Sequence, residues 1–233
     1  MGELVRAERG SVWSRVRARL KGLDDAELAA LLRTASEVGT GIGGRTLRVV
    51  VDGTTVFVKA VSLTASETRE ANLRSTANLF GLPTYCQYNV GSPGINAWRE
   101  LEALERTRRW VLDGDAAEFP LLYHWRLLPG APPPSEPEHA DPEEAVAYWH
   151  GAEGVARRLA AVRASTTALL LFLEYLPHRL DTWLQDRLAE GGVGAVEAIE
   201  MVDETLLAPV VWMNQQGMFH FDSRTPSSVR KSV

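Results

Sequence analysis

Three glycines at G-x-G-x-x-G spacing, Gly39, Gly41 and Gly44, stand fifteen residues ahead of a lysine, Lys59, in the run Val56-Phe57-Val58-Lys59. Residues of these types suit phosphate chemistry. Lacking a Cβ, a glycine lets backbone N–H groups approach anionic oxygens, and a lysine ammonium brings a point charge to the same phosphates. In a dinucleotide-binding domain such glycines follow a strand and open a helix. Here they lead into Arg45-Thr46-Leu47-Arg48-Val49-Val50-Val51, which is β-branched and strand-like, and then into the turn pair Asp52-Gly53. Glycine turn, strand, tight turn and lysine-bearing strand describe a hairpin that covers phosphates rather than a Rossmann turn. An ordinary hairpin with a solvated lysine uses the same letters, so the rest of the chain must weigh in.

Composition narrows the setting. The chain has 233 residues, 45% of them hydrophobic, enough to bury a core as one domain or two small lobes. A formal net charge of −5 gives no broad basic field of the kind that nucleic acid or an acidic membrane attracts. Arginines gather at Arg6 to Arg19 and Arg106 to Arg109, where solvated helix faces account for them. Cys86 is the only cysteine, so no intrachain disulfide forms, and a reducing cytoplasm is the expected compartment. No apolar run reaches the roughly eighteen residues a membrane span needs, and the first residues lack a charged-then-apolar leader. A soluble intracellular chain, without internal repeats or a coiled coil, is the expectation.

The elements that would position these residues follow from apolar spacing. Residues 11–37 read as two short helices, one with Trp13, Val16 and Leu20 on a face, the other with Leu28, Leu31 and Leu32. Asp24 and Glu27 between them form a capping-box pattern. Residues 61–97, rich in Ser, Thr, Asn, Gly and Pro, read as an ordered insertion. Trp98 to Val111 is a helix with Trp98, Leu101, Leu104 and Val111 facing inward, and Phe119 to Leu128 a buried strand. Pro129 to Pro142 is proline-rich and acidic, unfit for helix or central strand. Glu143 to Ala164 returns to helix through Val146, Trp149, Val155, Leu159 and Val162. Thr166 to Tyr175 is a strongly apolar strand, stopped at Pro177, and Asp181 caps a short helix to Leu188. Gly191 and Gly192 then break the chain. A long helix follows from about Gly194 to Gln216, kinked at Pro209 and closed by Gly217.

This order of elements resembles the protein-kinase fold. Several stretches also resemble a bacterial branch of kinase-like proteins in their wording: Gly41-Ile42-Gly43-Gly44, Ser75 to Pro83, Gly91-Ser92, Trp98-Arg99-Glu100-Leu101, Phe119 to Arg126 and Gly217 to Asp222. The resemblance covers residues 39–222. It implies an α+β, protein-kinase-like fold with a small antiparallel-sheet N-lobe plus helix and an incomplete helical C-lobe. Residues 1–38 would be a helical N-terminal extension, and 39–176 the N-lobe with insertions at 61–97 and 129–142. Residues 177–222 would be the hinge and the start of the C-lobe, and 223–233 a disordered tail.

Roles for single residues come with the resemblance. Gly39, Gly41 and Gly44 would cover phosphates, and Lys59, matching the lysine of V-A-I-K, would contact them. Glu100 looks like the helix glutamate that pairs with that lysine, with Glu102 an open competitor. Leu173-Glu174-Tyr175-Leu176-Pro177 is similar to the hinge, where the backbone of Glu174 and Leu176 would hydrogen-bond an adenine edge. His220-Phe221-Asp222 is similar to the H-x-D start of the catalytic loop, with Asp222 accepting the substrate hydroxyl proton. The implied cofactor is ATP, with magnesium, and the implied substrate is a hydroxyl of a protein or small molecule. Read on their own, Glu100, Glu174 and Asp222 are also ordinary surface or turn residues.

Beyond Asp222 the resemblance stops. Ser227 stands where the family places an asparagine that holds magnesium, and no D-F-G segment follows. These departures imply little or no turnover, as in a truncated or frame-shifted product, and leave a non-enzymatic module that binds nucleotide or a partner as the alternative. Apolar surface on 166–176 and 194–216 would then be uncovered and favour self-association. No residue set has metal-ligand spacing: His124, His139, His150 and His178 read as structural or surface. Trp149, Trp183 and Cys86 read as buried.

Overall fold

The computed structural model describes residues 2–41, 44–87, 96–130, 141–178 and 180–219. The chain forms two compact units, Met1–Tyr175 and Leu176–Val233. Its class is α+β, with five strands in one antiparallel sheet and seven α-helices among the described residues.

In the first unit, β1 (Ser36–Gly41), β2 (Gly44–Val51), β3 (Thr54–Leu63), β4 (Leu122–Pro129) and β5 (Thr167–Glu174) pair in the order β1-β2-β3-β5-β4. Asp52 and Gly53, with φ of 46° and 76°, make the β2–β3 turn that an Asp-Gly pair favours. On β2, Leu47, Val49 and Val51 are buried while Arg48 and Val50 face out, the alternation of a half-covered strand. Strand β5 lies between β3 and β4, antiparallel to both. Being buried on both faces, its stretch Ala168 to Leu173 is continuously apolar instead of alternating.

Helices account for both coverings. Val16 and Leu20 of α1 (Gly2–Gly22) and Leu28 of α2 (Asp25–Arg33), all fully buried, pack with Leu47, Val49, Val58, Leu170 and Phe172. On the other face, Trp98 and Leu101 of α3 (Ala97–Asp113) pack with Leu169, Leu171 and Leu173, joined by Phe57 and Val61. The pleat divides β5 between the two clusters residue by residue. A bulge between Leu122 and His124 shifts β4 against β5, so the α3 cluster takes Leu122 before it and Trp125 and Leu127 after it.

Asp24 Oδ1 accepts from the Glu27 N–H at 2.8 Å, and Glu27 returns the bond to the Asp24 N–H at 2.9 Å, so the capping box between α1 and α2 forms. Helix α1, however, starts nine residues ahead of the expected position, because its opening turns carry charge rather than an apolar stripe. The expected helix Glu143–Ala164 is two, α4 (Pro142–Tyr148) and α5 (Glu153–Arg163), parted where His150 and Gly151 turn left-handed at φ 59° and 68°. Between β3 and α3, residues 64–87 form two short 3-10 turns, Glu70–Asn72 and Thr84–Gln87. They pack on α4 and α5 through Leu82, Cys86, Trp149, Val155 and Leu159.

The second unit holds α6 (Leu180–Glu190) and α7 (Gly192–Gln215), with Leu184, Ala198 and Val202 buried between them and Trp183 packed beside. Asp181 sits inside the first turn of α6 rather than at its cap, where its Oδ1 accepts from the Thr182 N–H at 2.8 Å. Gly191 separates the helices and Gly192 opens α7, both at positive φ, and α7 runs on through Pro209. No helix among the described residues is long and apolar enough to cross a membrane.

Candidate functional site

Lys59 occupies the middle strand of the sheet, opposite Thr46 of β2 and Leu171 of β5. The two-residue period puts it on the same face as Phe57 and Val61, under α3. Asn96 starts that helix by accepting from the Arg99 N–H at 2.9 Å, and burial of Ala97, Trp98 and Leu101 against the sheet sets the rotation of its first turn. Glu100 is thereby turned to the sheet. The Lys59 ammonium donates to Glu100 Oε1 at 2.8 Å and to Oε2 at 2.9 Å. At 18% and 26% exposure the two side chains are shielded enough for a charge-assisted bond to hold its geometry. Glu102 points elsewhere, to Arg74 at 3.4 Å and Arg106 at 3.2 Å.

The glycines lie at the β1–β2 hairpin. Gly39 pairs with Thr46, Thr40 with Arg45 and Gly41 with Gly44, while Ile42 and Gly43 fall outside the described residues. Because Thr46 is also the residue opposite Lys59, the hairpin turn lies three residues from the lysine's row, roughly 10 Å along the strand. Gly44 has a packing reason of its own: a Cβ there would lie 2.4 Å from the carbonyl oxygen of Ala60, the residue after Lys59.

At the exit of β5, the Glu174 N–H donates to the Leu121 carbonyl at 2.8 Å, so any further backbone contact at Glu174 falls to its carbonyl. Its carboxylate accepts from the Leu121 N–H at 3.1 Å and from Arg9 Nη2 at 2.6 Å and Nε at 3.0 Å. Arg9 also donates to the carbonyls of Ala117 and Phe119, each at 2.7 Å. Sequence reasoning passes over Arg9, since the opening turns of α1 show no pattern that singles out one arginine. Leu176 belongs to the second unit and is 56% exposed.

Asp222, His220 and Ser227 lie outside the described residues, as does His139. Among the described residues, no group of three or more His, Cys, Asp or Glu is placed to hold a metal ion. Cys86 is fully buried, and burial pushes its thiol up, away from the thiolate a nucleophile needs. His124 is held neutral: burial, with Arg126, Arg17 and Lys21 nearby, lowers its pKa to about 4. Burial, reinforced by the Glu174 carboxylate, raises the Tyr123 phenol to about 12.

The site thus joins a lysine in the centre of a sheet, a glutamate on the crossing helix and a glycine hairpin at the lysine's end. Such a set can hold an anion beside an oriented ammonium. Compared with known proteins, the sequence matches no family model, and no curated protein is significantly similar to it.

Proposed function

We propose that this protein is a nucleotide-binding member of the protein-kinase-like superfamily, built as an ATP:hydroxyl phosphotransferase. The observation that carries the reading is the Lys59–Glu100 pair, 2.8 Å between a central strand and the helix that follows it. An ammonium has three N–H donors; Glu100 takes two, and one is left for an anionic oxygen. Strand order β1-β2-β3-β5-β4, with α3 inserted between β3 and β4, supports the same lobe. In this reading the backbone at Gly39, Gly41 and Gly44 covers the phosphates, Lys59 anchors them, and Glu100 orients Lys59. The backbone of Glu174 and Leu176 receives the adenine edge, and Asp222 accepts the substrate proton. ATP would supply the phosphoryl group and magnesium would offset its charge, but no metal-holding group of side chains is placed for that ion among the described residues. A cytoplasmic location goes with that cofactor.

A second reading, nucleotide binding without transfer, is favoured by Ser227 at the place of the magnesium-holding asparagine. Calorimetric titration with ATP, with and without magnesium, beside radiolabelled phosphate transfer, separates the two in the wild type and Lys59→Ala. Transfer that needs magnesium and is lost in Lys59→Ala establishes the enzyme. Binding lost in Lys59→Ala without any transfer establishes the second reading, and a wild type that binds no ATP sinks both.

A further inference from the structure

The Lys59–Glu100 contact is only as fixed as α3, and α3 is gripped by residues 64–87. The Trp98 indole N–H donates to the Glu67 carbonyl at 3.0 Å, and Arg99 donates to Gln87 Oε1 at 3.0 Å. Arg74 reaches Glu102 and Glu105 on the same helix. Glu67, at 1% exposure, is a buried carboxylate with every oxygen in use. Oε2 accepts from the Thr64 N–H at 2.9 Å and hydroxyl at 2.8 Å, and Oε1 accepts from Arg158 of α5 at 2.9 Å. Arg158 is itself buried, with its guanidinium 5.5 Å from the Phe80 ring. Alongside it, Arg157 donates to the Phe80 carbonyl at 3.0 Å. A buried carboxylate with one cation cannot lose that cation cheaply, so its partners hold position.

We propose that Arg158 is a positioning residue: through Glu67 and Trp98 it holds α3 where Glu100 meets Lys59, so α5 governs whether the anchoring pair forms. The consequence for nucleotide binding rests on the function proposed above. A zero-length cross-link reads the pair directly. A water-soluble carbodiimide activates the Glu100 carboxylate, the Lys59 amine displaces the urea, and an amide joins the two side chains. Its yield is measured by mass spectrometry in the full chain at a temperature where circular dichroism shows each variant folded.

The yield is expected to fall about tenfold in Arg158→Met and about threefold in Trp98→Phe, which keeps a ring but loses the N–H. Leu28→Ala, a cavity on the opposite face of the sheet, is expected to destabilise the protein and leave the yield unchanged. Wild-type yield in folded Arg158→Met and Trp98→Phe, or an equal fall in Leu28→Ala, overturns the proposal. If Arg158→Met does not fold, Trp98→Phe decides on the same two outcomes. Cross-linking that depends on Arg158 or Trp98 in a protein that binds no ATP supports the brace and refutes the nucleotide reading.

Discussion

Arg9 closes on Glu174 with Nη2 2.6 Å and Nε 3.0 Å from the carboxylate oxygens, tying the first helix to the last residue of β5. The same guanidinium holds the carbonyls of Ala117 and Phe119, so one side chain joins α1, the approach to β4 and the exit of β5. The site's sheet is thereby braced from both faces. Lys59 sits under α3, and the strand that neighbours it is clamped at its end by α1.

Arg9→Met keeps the apolar stem but leaves the Glu174 carboxylate with only the Leu121 N–H. A part-buried pair of this kind is expected to cost about 2 kcal/mol, below the value for a fully buried one. In a double-mutant cycle with Glu174→Gln, the coupling should be about 1–2 kcal/mol by urea denaturation. Strict additivity would mean the two side chains do not interact in solution.

Glu100 and Glu102 give a paired comparison on one helix. Glu100→Gln deprives Lys59 of its carboxylate, and the ATP dissociation constant is expected to rise about tenfold. Glu102→Gln breaks only exposed contacts with Arg74 and Arg106 and should stay within about twofold. Calorimetry on both variants checks this; indistinguishable constants would remove Glu100 from the site.

Short-range chemistry made some of this legible. The Asp52-Gly53 turn, the β-branched run Arg45 to Val51 and the unbroken run Ala168 to Leu173 each follow from a local rule, and the sheet contains all three. Lys59 stood out in the sequence and the structure pairs it with Glu100, but helical spacing does not say which of Glu100 and Glu102 turns inward. That depends on how Trp98 and Leu101 seat the helix on the sheet. The Arg9–Glu174 and Glu67–Arg158 pairs join residues 165 and 91 positions apart, and no periodicity connects them. The opening turns of α1 escaped notice because Leu4 and Val5 there are exposed, so no apolar stripe marks the helix. The break at His150-Gly151 was hidden by apolar residues that keep helical spacing on both sides of it.

Acid should weaken the fold through His124. Its ring is half-buried, with Nε2 shielded and without a hydrogen-bond partner. Its pKa is lowered by burial first, then by Arg126, Arg17 and Lys21, from 6.5 to about 4. The unfolded chain therefore binds a proton that the folded chain refuses. Stability is full above pH 6.5, falls as pH drops towards 4, and loses nothing further from this residue below that. The ceiling is about 3 kcal/mol, and the ring's partial exposure brings the expected loss to about 1–2 kcal/mol. Urea midpoints measured between about pH 4 and 7 should slope less in His124→Leu than in the wild type; equal slopes would assign the effect to other groups.

Two glycines inside helices predict opposite signs for the same substitution. At Gly10 in α1 nothing lies within 4 Å of a built Cβ, so Gly10→Ala meets no obstacle. It should stabilise by about 0.5–1 kcal/mol through helix propensity and a less flexible unfolded chain. At Gly154, at the start of α5, the Cβ would lie 2.8 Å from the Phe80 carbonyl oxygen and 3.1 Å from that of Gly81. Both are backbone atoms, and Arg157 and Arg158 hold that segment against the helix, so neither side can yield cheaply. The clash is expected to outweigh the propensity gain and leave Gly154→Ala about 1–2 kcal/mol less stable. Thermal melts should move up for the first variant and down for the second. A rise in both would mean that α5 does not approach residues 80–81 this closely, and the packing that carries Arg158 to Glu67 would fall with it.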